Sequence, residues 1–213
     1  MRFFGDILPF GACALGIMAA FYAIYFGKKI AQGRRGIVTR QIGKRKEKGI
    51  HTVETVMSVA TLLVVAGELF SVASGWNYAP NVVRWIGLGA GAAGDVVFLA
   101  AVLCMRDSWR AGIPEKDKTE LVTRGIFKIS RNPAFLGFDL VYIGVAALFF
   151  NPVNAVLSLF AIVSLHLQIL QEEKFLATTF GVPYLIYKKS VCRYFGRKFC
   201  RNRSDSAEKT SAE

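Results

Sequence analysis

Two short stretches hold side chains that could do chemistry together. One runs Arg131, Asn132, Pro133; the other is the acidic pair Glu172 and Glu173, with Tyr184 and Tyr187 following. A guanidinium makes a bidentate contact with a carboxylate. Glu172 and Glu173 can accept from an ammonium or from sugar hydroxyls. Phe127, Phe135, Tyr184 and Tyr187 can wall an adenine, or a sulfonium drawn to aromatic faces. Such a set suits a zwitterionic ligand with an amino-acid end and a nucleoside end. A plainer reading stands beside it: Arg131 as an interfacial residue reaching for water, Asn132-Pro133 as a helix cap, and solvated acids. On residue types alone both stay open.

The elements that must position these residues are membrane helices. Of 213 residues, 53% are hydrophobic, and mean hydropathy is +0.38. The apolar residues come in long blocks, which excludes an ordinary soluble globule, a disordered chain and a disulfide scaffold. A bilayer core about 30 Å thick needs roughly 20 apolar residues per helix. Five spans are predicted, at 7–26, 56–74, 82–104, 134–150 and 153–170, making an all-α polytopic helical membrane protein with a cytoplasmic C-terminal cofactor pocket. The first block is too long for a signal peptide and no small-residue cleavage site follows it. Asn151-Pro152 predicts a tight hairpin between the last two spans, with Asn as cap and Pro at the first helical position.

Net charge is +12, but its placement argues for membrane topology rather than nucleic acid. Loop 27–55 has nine Lys/Arg and two acids, loop 105–133 seven and four, and the tail 171–213 nine and five. Segments 75–81 and 151–152 carry no charge. Five spans put all three basic segments on one side, which positive-inside bias makes the cytoplasm, with the N-terminus outside and the protein in the inner or plasma membrane. Segments 1–104 and 105–200 divide into N-terminal helices and a cytoplasm-facing core, and 201–213 is expected to be a disordered tail. The four cysteines lack zinc or disulfide spacing, so no metal is expected.

Charges inside spans are expensive and are functional candidates by default. Glu68 and Arg84 lie in the outer half, where a structural ion pair is the simpler reading. Asp139 and Asp95 lie in the inner half and could border a pocket. The glycines of the third span, Gly87, Gly89, Gly91 and Gly94, are expected to serve close helix packing through Gly87/Gly91 and Ala90/Gly94.

Leu121, Val122, Gly125, Phe127, Arg131, Asn132, Pro133, Phe135 and Gly137, then a hydrophobic hairpin, Glu172-Glu173, Phe180-Gly181, Tyr184 and Tyr187 form an ordered pattern. It resembles the isoprenylcysteine carboxyl methyltransferase and phospholipid methyltransferase family of membrane enzymes, over about the C-terminal 80 residues. The family histidine is Asn132 here, and two motif tyrosines are Phe127 and Phe135. Asn132 can hydrogen-bond but cannot titrate; His166, seven residues before Glu173, is a candidate substitute.

The resemblance implies methyl transfer from S-adenosylmethionine to a lipid-like acceptor, an isoprenylcysteine-type carboxylate or a phospholipid amine. Arg131 would hold the cofactor carboxylate. Glu172 and Glu173 would hold its amine or ribose, and the turn from Gly125 to Phe127 would pack on it. Pro133, Phe135, Gly137, Tyr184 and Tyr187 would complete the cofactor site. Arg131, Asn132 and Asp139 would be catalytic, Asp139 orienting the nucleophile. Two alternatives compete: an NADPH-dependent membrane reductase of the steroid-reductase type, disfavoured by two acids where pyrophosphate would lie, and a non-enzymatic membrane protein. For the latter, five spans without inverted repeats argue against a secondary transporter.

Overall fold

The computed structural model describes residues 7–39, 48–110 and 120–197, with the side chains of 7, 8 and 48 left out. The expected tail 201–213 lies outside the described residues. Six α-helices account for most of the chain: α1 Ile7–Gly33, α2 Lys48–Ser74, α3 Asn81–Met105, α4 Pro133–Leu148, α5 Pro152–Phe180 and α6 Val182–Ser190. Short 3₁₀ turns at Arg106–Ser108 and Gly125–Lys128 lie between α3 and α4. Four helices are long and apolar enough to cross a membrane, and α4 is a shorter apolar helix. The fourth expected span is thus shorter than 134–150, while the fifth runs well past 170, carrying Glu172 and Glu173 on the same rod.

The surface is inside out relative to a soluble protein. Leu62, Val82, Trp85, Ile86, Val96, Leu103, Val156 and Leu159 point outward, while Gln32, Glu54, Glu68, Asn154, Ser164 and Gln168 are buried. This is the distribution a bilayer selects, because polar side chains in lipid must face the bundle interior.

The described helix ends gather at two opposite ends of the bundle. At one end, Gln32 Nε2 donates to Trp109 O at 3.0 Å, Arg35 pairs with Asp107 at 3.0 Å, and Gln171 Nε2 donates to Gly49 O at 3.3 Å. These contacts gather the close of α1, the start of α2, the close of α3 and the far part of α5. At the other end, Asn151 knits the turns together. Its Oδ1 accepts from Asn154 N at 2.9 Å, capping α5, and its Nδ2 reaches Ser71 Oγ, Trp76 O and Phe149 O at 2.9–3.2 Å. Tyr78 N donates to Phe150 O at 2.8 Å.

The tightest helix pair is α3 with α4, and its glycines make it so. A Cβ on Gly144 would lie 2.5 Å from Gly91 N, one on Gly94 2.9 Å from Gly137 O, and one on Gly87 2.7 Å from Gly144 O. Without a hydrophobic drive between helices in lipid, such close backbone approach supplies the packing energy. Gly89 meets nothing within 4 Å and faces away. Gly137, expected at the cofactor, instead belongs to this seam: its Cβ would lie 2.8 Å from Phe98 Cβ.

The expected Glu68–Arg84 ion pair does not form among the described residues. Arg84 donates Nε to Leu148 O at 3.0 Å and stacks over Phe10 at 3.9 Å, whereas Glu68 is buried with Oε1 lacking a hydrogen bond. The carbonyl and the ring occupy the guanidinium on the α1/α4 side, away from the acid on α2.

Candidate functional site

A cleft of about 130 Å³ opens at the end of the bundle where α3 closes and α4 begins. Its floor comes from Arg131, Asn132, Pro133, Ala134 and Phe135 at the start of α4. One wall is the far end of α5, with Glu172, Phe175, Leu176 and Phe180; a second is α6, with Tyr184 and Tyr187; Trp109, Leu121, Val122 and Phe127 close the rest. Most of this lining is aromatic or aliphatic, and its charged and amide or hydroxyl groups are spread around it: Arg131 and Asn132 on the floor, Glu172 on α5, and Ser108, Arg110 and Glu120 opposite.

Local sequence explains these placements. Pro133 starts α4, where its missing N–H costs nothing. Gly181 ends α5 at φ +56, a conformation that favours glycine, and the chain turns directly into α6. That turn brings Tyr184 and Tyr187 back over the floor. Tyr187 donates its hydroxyl to Phe127 O at 2.7 Å, pinning the Gly125–Lys128 turn. Gly125 itself adopts φ +60 and packs against Cys104, where a Cβ would lie 2.5 Å from Sγ; it supports the turn without lining the cleft. Burial, with Glu173 nearby, pushes the Tyr184 phenol up to about 12 against the pull of the neighbouring Arg131 guanidinium. It is a neutral donor throughout the physiological range.

Arg131 and the two acids do meet at one level, but the acids divide. Arg131 Nη2 pairs with Glu173 Oε1 at 3.1 Å, the two side chains only 4% and 3% exposed. Glu173 also takes Arg193 through a fork, Nε to Oε1 and Nη2 to Oε2, both at 3.0 Å. Lys188 Nζ lies 3.7 Å from Oε2. Glu172, by contrast, borders the cleft and accepts from Gln168 Nε2 at 3.4 Å. One acid is therefore structural to the cation cluster and the other is presented to the cavity.

Arg131 is held through Nη2 alone: its Nε and Nη1, which lie on different sides of the guanidinium, are buried without a hydrogen-bond partner. Leaving buried donors unmade costs about 1–3 kcal/mol each. Both nitrogens belong to a residue that lines the cleft, and each can donate a single charge-assisted hydrogen bond to an acceptor such as a carboxylate oxygen.

Asn132 occupies the N-cap position of α4 without capping it through its side chain; Nδ2 reaches Glu173 Oε1 at 3.4 Å and Arg193 O at 3.3 Å. The plain helix-cap reading is thereby replaced by membership of the ionic cluster. Asp139 is buried with Oδ1 unpartnered, one turn beyond Phe135 on the same face of α4, and outside the cleft lining. His166 also lies outside it, bonded through Nδ1 to Tyr194 OH at 2.6 Å. Asp95 does not reach the lining either.

Sequence reasoning missed Arg193 and Trp109. Arg193 sits in a run with Lys188, Lys189 and Arg197, so its type did not distinguish it. Its role comes from the strap it rides on: Arg131 N donates to Cys192 O at 3.1 Å and Gly196 N to Ile129 O at 2.8 Å, folding 191–197 against the start of α4.

Residues 85–178 match the model of the isoprenylcysteine carboxyl methyltransferase (ICMT) family. Protein-S-isoprenylcysteine O-methyltransferase A of Arabidopsis thaliana is 34% identical over 103 residues, 46% of this chain and 51% of that protein. The chain thus spans about half the length of this curated relative. The isoprenylcysteine carboxyl methyltransferase resemblance read from the motif is borne out by both comparisons. The family match starts earlier than the motif did, taking in most of glycine-lined α3, and stops before Tyr184, Tyr187 and Arg193.

Proposed function

We propose that this chain is an integral membrane methyltransferase that uses S-adenosylmethionine and methylates a lipid-like acceptor. The carrying observation is the buried Arg131 guanidinium, tied to Glu173 through Nη2 alone, with Nε and Nη1 unpartnered on the floor of an aromatic-walled cleft. That donor set fits the cofactor's carboxylate; Glu172 offers acceptors for its amine or ribose, and Phe127, Phe135, Tyr184 and Tyr187 fit a flat base.

When bound, the cofactor supplies a methyl group on an electrophilic sulfonium. The protein's part is to bind, orient and exclude water. Arg131 anchors the carboxylate end. Asn132, with no titratable proton, braces the Arg131–Glu173–Arg193 cluster. An amphiphilic acceptor reaches the cleft sideways from the bilayer past α4. If it is a carboxylate no proton has to move; if it is an amine, Asp139, one turn beyond Phe135 on α4 and with Oδ1 unpartnered, is our base candidate. We assign this chemistry to residues 105–200, with 1–104 as the membrane frame, and place the cleft in the cytoplasm with the N-terminus outside, following the basic segments.

The test is calorimetry on the purified chain with S-adenosylhomocysteine and, in parallel, NADPH. Binding of the first and not the second is expected; the reverse would establish the reductase reading. Incubation with methyl-labelled cofactor and host lipid extract then identifies the acceptor.

A further inference from the structure

The cation cluster below the cleft holds more residues than cofactor binding requires, and the extra member comes from the strap after α6. Glu173 is 3% exposed and receives three cations and an amide: Arg131 at 3.1 Å, Arg193 at 3.0 Å on each oxygen, Lys188 at 3.7 Å and Asn132 at 3.4 Å. Arg193 occupies both carboxylate oxygens. Arg131 is left with a single contact through Nη2, while its Nε and Nη1 stay unpartnered.

A carboxylate freed of Arg193 would behave differently. It would turn both oxygens to Arg131 and form the parallel two-bond pair that guanidinium and carboxylate prefer. That pairing would consume a donor now left for the cleft.

We propose that Arg193 is a positioning residue that acts through Glu173 to keep Arg131 Nε and Nη1 from being drawn into a two-bond pair with that carboxylate, leaving them for a ligand in the cleft. It rests on the reading of that cleft as the cofactor site. The backbone around Arg193 is clamped for this task. Its carbonyl accepts from Asn132 Nδ2 at 3.3 Å and Ser130 Oγ at 3.4 Å, and the neighbouring Cys192 carbonyl accepts from Arg131 N at 3.1 Å. The residue before α4 and the residue that aims it are therefore fixed to each other by main chain as well as by charge. Tyr194, next along the strap, has a separate anchor in His166 at 2.6 Å.

Those separate anchors make the test discriminating. Full-length wild type, Arg193→Ala, Arg193→Lys, Tyr194→Phe, Glu173→Gln and the Arg193→Ala/Glu173→Gln double variant are titrated with S-adenosylhomocysteine in detergent, with melting temperatures recorded. Arg193→Ala is expected to weaken binding about tenfold or more, Arg193→Lys to recover part of it, and Tyr194→Phe to bind as wild type. In the Glu173→Gln background, removing Arg193 should add no further loss, because its effect passes through that carboxylate. In turnover assays the loss should fall on cofactor KM and leave acceptor KM unchanged. Wild-type affinity in Arg193→Ala, equal losses in Arg193→Ala and Tyr194→Phe, or additive losses in the double variant would each overturn the assignment. Absence of binding by wild type would overturn the cofactor reading and this one with it.

Discussion

Arg131 and Glu173 meet at 3.1 Å with both side chains sealed from water, although 41 intervening positions separate them in the chain. The pair joins the start of α4 to the far end of α5, so a charge contact closes the open end of a hairpin whose middle packs through Tyr142, Ala161 and Leu165. Without Arg131, Glu173 still keeps the Arg193 fork, so the loss should fall below the about 3–5 kcal/mol of a stranded buried charge. Arg131→Ala should therefore lower stability and abolish S-adenosylhomocysteine binding, whereas Arg131→Lys, which keeps the charge and loses the fork, should retain the fold better than the affinity. Calorimetry beside thermal melting separates these effects.

Asn132 gives a second test, because its neighbours are charged. Asn132→Asp would put a carboxylate beside Glu173 in place of an amide that donates to it at 3.4 Å. Like charges at that depth are unfavourable, and the variant should melt below Asn132→Ala by about 1–3 kcal/mol. An Asp variant as stable as the Ala variant would show that the amide does not sense Glu173.

Asn151 should behave in the opposite sense to Asn132, though both precede a proline. Asn151→Ala removes a cap and three donor contacts at the α4–α5 turn. A loss of about 2–3 kcal/mol is expected, above the usual cap value of about 1. Cofactor affinity should not change, because the turn lies at the other end of the bundle. Equal loss of affinity and stability would contradict this separation.

The α3–α4 seam yields a matched pair. Gly144→Ala would drive a methyl to 2.5 Å from Gly91 N, while Gly89→Ala meets nothing within 4 Å. The first should cost about 1–3 kcal/mol by overpacking; the second should be neutral or mildly stabilising. Melting temperatures in one detergent decide it.

Much of the frame was legible in the sequence because lipid imposes simple rules. Apolar blocks marked the helices, uncharged turns marked one side, and Asn151-Pro152 marked the hairpin. The glycines of α3 were legible as packing residues for the same reason. Helix length was less so: α5 continues to Phe180 because Gln171, Glu172, Glu173 and Lys174 are good helix formers and no breaker intervenes before Gly181. The meeting of Arg131 with the acids was legible from the hairpin, but their division was not. Which of two adjacent acids turns inward depends on helix phase, and here Glu173 faces the cations while Glu172 faces the cleft. The Glu68–Arg84 pair failed because matching depth does not imply a shared face. Gly137 failed for a related reason: its motif position is explained by the seam with α3. Arg193 was invisible because its importance comes from a strap whose fold depends on main-chain bonds to Ile129 and Arg131.

The single rod of α5 carries a consequence for the living membrane. Its 29 residues measure about 43 Å, against a hydrocarbon slab of about 30 Å. Only its apolar stretch, 153–170, matches that slab, so the far end carrying Glu172 and Glu173 stands clear of the lipid instead of tilting to fit it. The contact of those acids with short α4 is then fixed by the strap that brings Arg193 to Glu173, and ligand affinity should be the same in thin and thick bilayers.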